Sequence, residues 1–392
     1  MDIFEKCYQY QTAREAIARG TYPYFIPLTE NEGSEVVYKD LRLIMCGSNN
    51  YLGLTTHPKV RKAAIEAIER YGTSCTGSRF LNGTLELHHQ LEAELADWVG
   101  KEAALIFSTG MQVNLGTISA LVGRGDYVIL DKDDHASLVD GAFLSPGKIE
   151  RFRHNDLDHL ERVLASIPEE AGKLVVVDGL FSMGGDLAPL DQMVPIVQKY
   201  KARLMVDDAH AIGVMGGGRG TGVHFGVNDD VDLIMSTFSK SFASLGGFIA
   251  GEDDVIHYVK HHARSLIFSA SIPPSNTAAA LAALDVMRTE PELVVRVNQI
   301  GEYMRQGFKA LGFNTGESVS PIIPIIIGDD ERTFIAWKLL FEHGVFVNPI
   351  ISPAVPPGMQ LLRTSYMATH TDEQLNKVLE VFGRVGKMLN LI

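Results

Sequence analysis

The sequence predicts an α/β protein, with a large domain built on a mainly parallel sheet and a smaller α+β domain towards the C-terminus. Three observations carry that reading. Six short apolar runs, at 104–108, 127–131, 173–179, 202–208, 231–239 and 246–251, alternate with helical stretches, as strands covered on both faces by helices do. A chain of 392 residues, 46% hydrophobic and 21% charged, has the balance of a globular protein and the length of two or three structural units. After about residue 285 the alternation gives way to a smaller segment whose strands include SPIIPIIIG and QLLRTSYM.

In chain order, residues 1–45 read as a helical arm and a short strand pair, VVYKDLRLIMC showing partial period-two alternation. The large domain is expected over 46–285 and the small one over 286–392. Pro58 opens an amphipathic helix that places Val60, Ala64 and Ile68 on one face and stops at Gly72. Leu91, Leu95 and Trp98 mark a second helix before Gly100. A Thr371-x-x-Gln374 capping box opens a final helix ending near Met388. The 37 glycines imply many tight turns, and no internal repeat is present.

Composition excludes several classes of function. Lys+Arg 35 minus Asp+Glu 48 leaves −13, so no global positive field draws in nucleic acid or an anionic bilayer. The longest apolar stretches, LVVV at 174–177 and the proline-interrupted run Pro321–Ile327, fall far short of the ~20 residues that span a bilayer. The opening MDIFEKCYQYQTAREAIARG mixes acids and bases without an apolar signal core, so a cytoplasmic location is expected. Cys7, Cys46 and Cys75 contain no Cys-x-x-Cys pair and fit neither a disulfide framework nor a zinc site. They are expected to be reduced and structural, and no metal is expected.

In open parallel sheets, ligands sit outside the carboxyl ends of the strands. The polar residues there are Asp207, Asp208 and His210 after ARLMV, Ser236 to Lys240 after VDLIM, and Asp178 to Asp186 after LVVV. A lysine held among apolar neighbours loses proton affinity and forms an imine with an aldehyde. Lys240, in STFSKSFASLGGF, suits that task; taken alone it is more readily an exposed loop lysine. Asp207 ends an apolar run where an unpaired carboxylate is costly, so something cationic should face it. Pyridoxal 5'-phosphate meets both needs, because the lysine forms the imine and the aspartate keeps the pyridine nitrogen protonated. The alternatives for Asp207 are a helix cap or a metal site shared with His210, for which no third ligand clusters nearby. Ser108-Thr109-Gly110 and Thr237 offer hydroxyls and amides for phosphate at a strand-to-helix junction, where an ordinary cap is the other reading.

Seven segments then carry a resemblance: NNYLGL (49–54), TGSRFLNGT (76–84), FSTGMQVN (107–114), DHASLVDG (134–141), DGLFSMGGD (178–186), MVDDAHAIGVMG (205–216) and TFSKSFASLGGFIAG (237–251). In order and over nearly the whole chain, they resemble the α-oxoamine synthases. That family has the pyridoxal-phosphate-dependent transferase fold type I, like aspartate aminotransferase, and joins an amino acid to an acyl thioester with loss of carbon dioxide. The resemblance implies that Lys240 carries the cofactor imine and Asp207 pairs with the pyridinium nitrogen. It also implies that His135 stacks on the ring and polarises the thioester carbonyl, while His210 and Ser182 bond the phenolic oxygen. Gly110 and Met111 should offer backbone N–H groups beside ring or phosphate, although many relatives have an aromatic where Met111 stands. Thr237 should bind phosphate, with Ser269 and Ser271 approaching from a second subunit. Arg363 matches the arginine that grips the substrate carboxylate, a task suited to its planar fork, and Asn50 should assist across the dimer interface. Without the family match, Arg363 is as readily a surface ion-pair residue.

TGSRFLNGT followed by LELHHQLE lacks the glycine-rich segment of the biotin-pathway members. With TFSKSFASLGGF and VNPIISPAVPP, it is similar to the group within the family that joins L-serine to palmitoyl-CoA. The implied reaction gives 3-ketosphinganine, CoA and carbon dioxide on a homodimer with shared sites and at most transient membrane contact. Glycine C-acetyltransferase and cysteate acyltransferase chemistry are the alternatives within the family. A non-catalytic partner subunit and a simple aminotransferase are those outside it. Lys240 speaks against the silent subunit, and the Arg363 context with the DHAS histidine against the aminotransferase.

Overall fold

The computed structural model describes residues 2–392. The strands are β1 (Glu30–Asn31), β2 (Glu35–Tyr38), β3 (Leu41–Met45), β4 (Ala103–Phe107), β5 (Tyr127–Asp131), β6 (Lys148–Phe152), β7 (Lys173–Asp178), β8 (Arg203–Asp207), β9 (Leu233–Thr237), β10 (Gly247–Gly251), β11 (Ile322–Ile326), β12 (Val345–Phe346), β13 (Asn348–Ile350) and β14 (Leu361–Ser365). Seven of them form the central sheet in the order β4-β10-β9-β8-β7-β5-β6. Pairing from β9 through β8, β7 and β5 to β6 is parallel, and β10 runs antiparallel to both β4 and β9.

Every predicted apolar run is a strand of this sheet. Side chains alternate across it: Val175 and Val177 enter the hydrophobic core on one face, Leu174 and Val176 the core on the other. That two-sided burial produces the continuous apolar runs seen in the sequence. The additional strand, β6, reads KIERF and lies at the edge with little of it buried. An edge strand covered on one side carries charge and gives no apolar signal.

The helix Pro58–Tyr71 begins at its proline and ends at Gly72, whose φ is +79°. Its inward face differs from the expected one. Val60 and Ala67 are buried, whereas Ile68 is 43% exposed. The partner helix, Pro274–Thr289, presents alanines, and so close an approach selects Ala67 rather than a bulky side chain.

A second sheet, β11-β14-β13, is antiparallel and covered by the helices Glu292–Leu311 and Asp330–Glu342, on which the capped helix Asp372–Met388 packs. Its core joins Phe308, Trp337, Leu362 and Phe382 to Val36, Leu43 and Met45, so the early strand pair packs with the C-terminal elements. β3 also pairs in parallel with β12. From the end of β14, Ser365 N donates to Cys46 O (2.8 Å) and Ala368 N to Tyr51 O (2.7 Å), which lays residues 46–51 against Arg363. Cys46 is buried, but Cys7 is exposed and packs into no core, contrary to a structural role; all three thiols are unbonded. No helix among the described residues is long and apolar enough to cross a membrane.

Candidate active site

Asp131, Asp178, Asp207 and Thr237 all end parallel strands at one edge of the central sheet, with Asp178 and Asp207 in register. Over these ends lies a cavity of about 220 Å³. Seven of the predicted residues line it: Gly110, Met111, His135, Asp207, His210, Thr237 and Lys240.

Lys240 is presented by a tight loop after β9. Phe238 and Phe242 are fully buried and pack together with Phe248, the centroids 5.1 to 6.5 Å apart, and Phe238 N donates to Gly246 O at 2.8 Å. The lysine between the two aromatic anchors is thereby turned to the cavity. Burial pulls its ammonium pKa down to about 8, against the carboxylates of Asp207 and Asp178, which favour the charged form. An exposed loop lysine would keep its proton more firmly.

Asp207 is 3% exposed. Its Oδ1 accepts from Ala209 N (3.0 Å) and its Oδ2 from Asn114 Nδ2 (2.8 Å). Asn114 Nδ2 also donates to Ser137 Oγ (2.9 Å), which lies 2.7 Å from His135 Nδ1. A hydrogen-bonded chain thus joins the buried aspartate to the exposed histidine on the cavity rim. Asn114 and Ser137 were not singled out by the sequence reading. Both stand inside its quoted segments, FSTGMQVN and DHASLVDG, and a fully buried asparagine on an apolar helix was the available signal.

At another wall the helix Gly110–Leu121 begins. Thr109 Oγ1 accepts from Gln112 N, and Val113 N donates to Thr109 O, which leaves the first two amides, of Gly110 and Met111, without an acceptor in the helix. Thr237 Oγ1 lies 2.9 Å from Ser239 Oγ beside them. A Cβ on Gly110 would stand 2.8 Å from Thr237 Oγ1, so glycine is what lets the helix end approach this hydroxyl. Met111 itself is 50% exposed. Ser269 and Ser271 do not line the cavity within one chain: Ser269 Oγ accepts from Gln112 Nε2 (2.8 Å), and the Ser271 hydroxyl is buried without a partner.

Arg363, in β14, is 4% exposed, which excludes the surface ion-pair reading. Its Nε donates to Ser182 O at 2.6 Å and its Nη2 to Asn49 Oδ1 at 3.0 Å, with the Tyr51 hydroxyl at 3.4 Å. Tyr51 Oη lies 2.6 Å from Nδ1 of His210, leaving Nε2 of that ring for the cavity. Burial, with Lys240 and Arg363 nearby, drives the His210 pKa far down, so the imidazole is neutral. Tyr51 and Asn49, which the sequence reading did not single out, thus link Arg363 to His210 at the cavity. Asn50 is turned away from Arg363 in its own chain, donating Nδ2 to Thr55 Oγ1 at 2.8 Å. Ser182 meets Arg363 through its carbonyl, and its hydroxyl does not line the cavity.

These groups fit pyridoxal phosphate. An amine of lowered proton affinity suits the aldehyde, a buried hydrogen-bonded carboxylate suits a ring nitrogen, and free helix-end amides with two hydroxyls suit the phosphate.

Comparison with known proteins agrees. The model of the aminotransferase class I and II family matches residues 42–382. A serine palmitoyltransferase of Sphingobacterium spiritivorum is 50% identical over 390 residues, covering 99% of this chain and 98% of its own. The solved serine palmitoyltransferase of Sphingomonas wittichii superposes with a TM-score of 0.97 at 39% identity, over 100% of both chains. Another, solved with its pyridoxal phosphate internal aldimine, superposes at 0.96 with 37% identity over 100% of both. The chain belongs to the class I and II aminotransferase family and, within it, to the pyridoxal-phosphate-dependent α-oxoamine synthases of the serine palmitoyltransferase group.

Proposed function

We propose that this chain joins L-serine to a long-chain acyl-CoA, palmitoyl-CoA foremost, giving 3-ketosphinganine, CoA and carbon dioxide, the first step of sphingolipid synthesis. One observation carries the reading: Lys240 and Asp207 share a cavity with the free helix-end amides of Gly110 and Met111, in a chain related over its full length to serine palmitoyltransferases. When bound, pyridoxal phosphate supplies an aldehyde for the amine and a ring that takes up the electron pair left at Cα.

The chain's own residues do the rest. Lys240 Nζ, with its pKa near 8, holds the cofactor and then accepts the Cα proton of the amino acid close to neutral pH. Asp207, aligned by Asn114 and Ala209 N, would hold a proton on the ring nitrogen of the bound cofactor. His135, oriented by Ser137 on the cavity rim, would cover the cofactor and polarise the thioester carbonyl. Neutral His210 offers Nε2 to the phenolic oxygen, and Thr237 with the amides of Gly110 and Met111 takes the phosphate. Arg363, with Asn49 beside it, would grip the serine carboxylate and so fix the orientation of the bonds at Cα.

The working form is a cytoplasmic homodimer. Met111 and Leu245 line the cavity yet are exposed, and exposed Phe268 adjoins Ser269, which bonds Gln112, as expected of a partner-covered surface. Ser269 and Ser271 would then serve the partner's phosphate, and the three unbonded thiols suit a reducing compartment. Incubating the reconstituted protein with palmitoyl-CoA and serine, glycine, alanine or cysteate, then weighing the products, tests the reading. It predicts 3-ketosphinganine with stoichiometric CoA release from serine; condensation with glycine or cysteate alone refutes it.

A further inference from the structure

The loop between β6 and the helix Leu157–Ser166 holds a histidine that the proposed chemistry does not use. Nδ1 of His154 lies 3.0 Å from Asp131 Oδ1, and its Nε2 lies 2.8 Å from Asp186 Oδ2. Both ring nitrogens face carboxylate oxygens, and only the imidazolium donates from both. Burial opposes that charge, but the two carboxylates outweigh it and raise the pKa to about 10. Asp133 is a third acid facing the ring, its Oδ2 3.9 Å from Nδ1. Among the described residues, neither Asp131 nor Asp186 is ion-paired to a lysine or arginine.

The next residue extends the clamp. Asn155 takes a left-handed φ of +51°, which turns its backbone N to Asp131 Oδ2 (2.9 Å) and its Nδ2 to Asp186 Oδ2 (3.1 Å) and Leu187 O (3.1 Å). Asp186 closes a turn in which Phe181 N donates to Asp186 O (2.9 Å) and Gly185 N to Phe181 O (3.0 Å). The Phe181 ring meets the imidazole edge-on, centroids 4.5 Å apart. At the tip of this turn the carbonyl of Ser182 accepts from Nε of Arg363 at 2.6 Å. A continuous set of contacts therefore runs from the end of β5 through His154 and the 180–187 turn to the guanidinium.

We propose that His154 is a positioning residue for substrate recognition, its imidazolium pinning the 180–187 turn so that the Ser182 carbonyl orients Arg363 towards the amino-acid carboxylate. This rests on the reading that Arg363 binds that carboxylate. Without the cation, Asp131 and Asp186 face each other as like charges, the turn loosens, and the guanidinium loses its Nε anchor. The effect falls on amino-acid binding and leaves the Lys240 and Asp207 chemistry in place.

The test compares wild-type holoenzyme with His154→Gln, measuring KM for L-serine, kcat and the dissociation constant of L-serine from the spectral change on binding. Serine KM and dissociation constant are expected to rise about tenfold, within the couplings seen across hydrogen-bonded networks, with kcat changed by less than about threefold. His154→Gln/Asp186→Asn, which removes one bare carboxylate and restores an amide partner, should recover most of the serine affinity. In an Arg363→Lys background His154→Gln should have little further effect. Unchanged serine affinity in His154→Gln, equal loss of KM and kcat terms without recovery in the double variant, or full additivity with Arg363→Lys overturns the proposal. A second measurement uses the wild type: nitrogen NMR of the histidine-labelled holoenzyme should show both ring nitrogens of His154 protonated to pH 9, and a neutral ring there overturns it even if the variant does not fold. Failure of wild-type holoenzyme to turn over serine would refute the proposed reaction instead, and the binding and NMR arms would still decide the role of His154.

Discussion

Replacing Asn114 by leucine isolates the contact that aligns Asp207. Asn114 is fully buried, and its Nδ2 serves both Asp207 Oδ2 at 2.8 Å and Ser137 Oγ at 2.9 Å. Leucine keeps the approximate volume and removes both donations. A hydrogen bond to a charged group contributes about 1.5 to 3 kcal/mol, and a neutral one about 1. Asp207 would retain only Ala209 N on its other oxygen, and the His135 ring would lose the fixed Ser137 that orients it. If the loss falls on the state in which Asp207 meets the ring nitrogen, about 2 to 3 kcal/mol at ~1.4 kcal/mol per decade gives roughly one to two decades. Absorbance titration of apoprotein with pyridoxal phosphate should show weakened binding of that order, and kcat/KM should fall in parallel. The far-UV circular dichroism should be unchanged, since Asn114 Oδ1 has no partner in the wild type to lose. Cofactor affinity and kcat/KM both within threefold of wild type would show that Asp207 does not depend on this chain of contacts.

Asp207→Ala removes one member of a buried charge pair, a loss of about 3 to 5 kcal/mol, and should slow turnover by about two to four decades; steady-state rates near wild type would remove Asp207 from the mechanism. Lys240 carries a pH signature in the apoprotein. Its folded pKa of about 8 lies below the ordinary 10.5, so between those values the unfolded chain binds more protons and stability rises with pH. Below about pH 8 the buried ammonium costs on the order of 3 kcal/mol, at ~1.36 kcal/mol per unit. Lys240→Met apoprotein should thus be more stable at pH 7 by about that amount, and the gap should close as pH climbs towards 10.5. Urea unfolding of both apoproteins at pH 7 and 10 checks this, and a gap that widens with pH contradicts it.

The elements legible in the sequence were those whose signal is local. Apolar runs marked six of the seven central strands, Pro58 and Gly72 bounded their helix, and Thr371 with Gln374 capped the last one. Lys240 and Asp207 were legible because each follows a strand buried on both faces, where a polar residue must have a reason to be. Ile68 was misplaced because helical spacing says which residues share a face and not whether the neighbour is bulky or alanine-rich. Asn49, next to the singled-out Asn50, was not legible as the Arg363 partner within the chain, because adjacent asparagines are indistinguishable until β14 and residues 46–51 are laid together.

Sequence alone determined the layered α/β architecture, the strand ends over which the cavity lies, and the lysine and aspartate proposed to act there, since periodicity and burial act through near neighbours along the chain. The partnerships were decided only by tertiary structure. Asn114 reaches Asp207 across 93 positions, Tyr51 reaches His210 across 159, and Arg363 reaches the Ser182 carbonyl across 181. A polar side chain in a low-dielectric interior must be satisfied, but the residue type states only that a partner is required. Which group supplies it depends on sheet register and on how the C-terminal strands close over residues 46–51, and no local pattern encodes that closure.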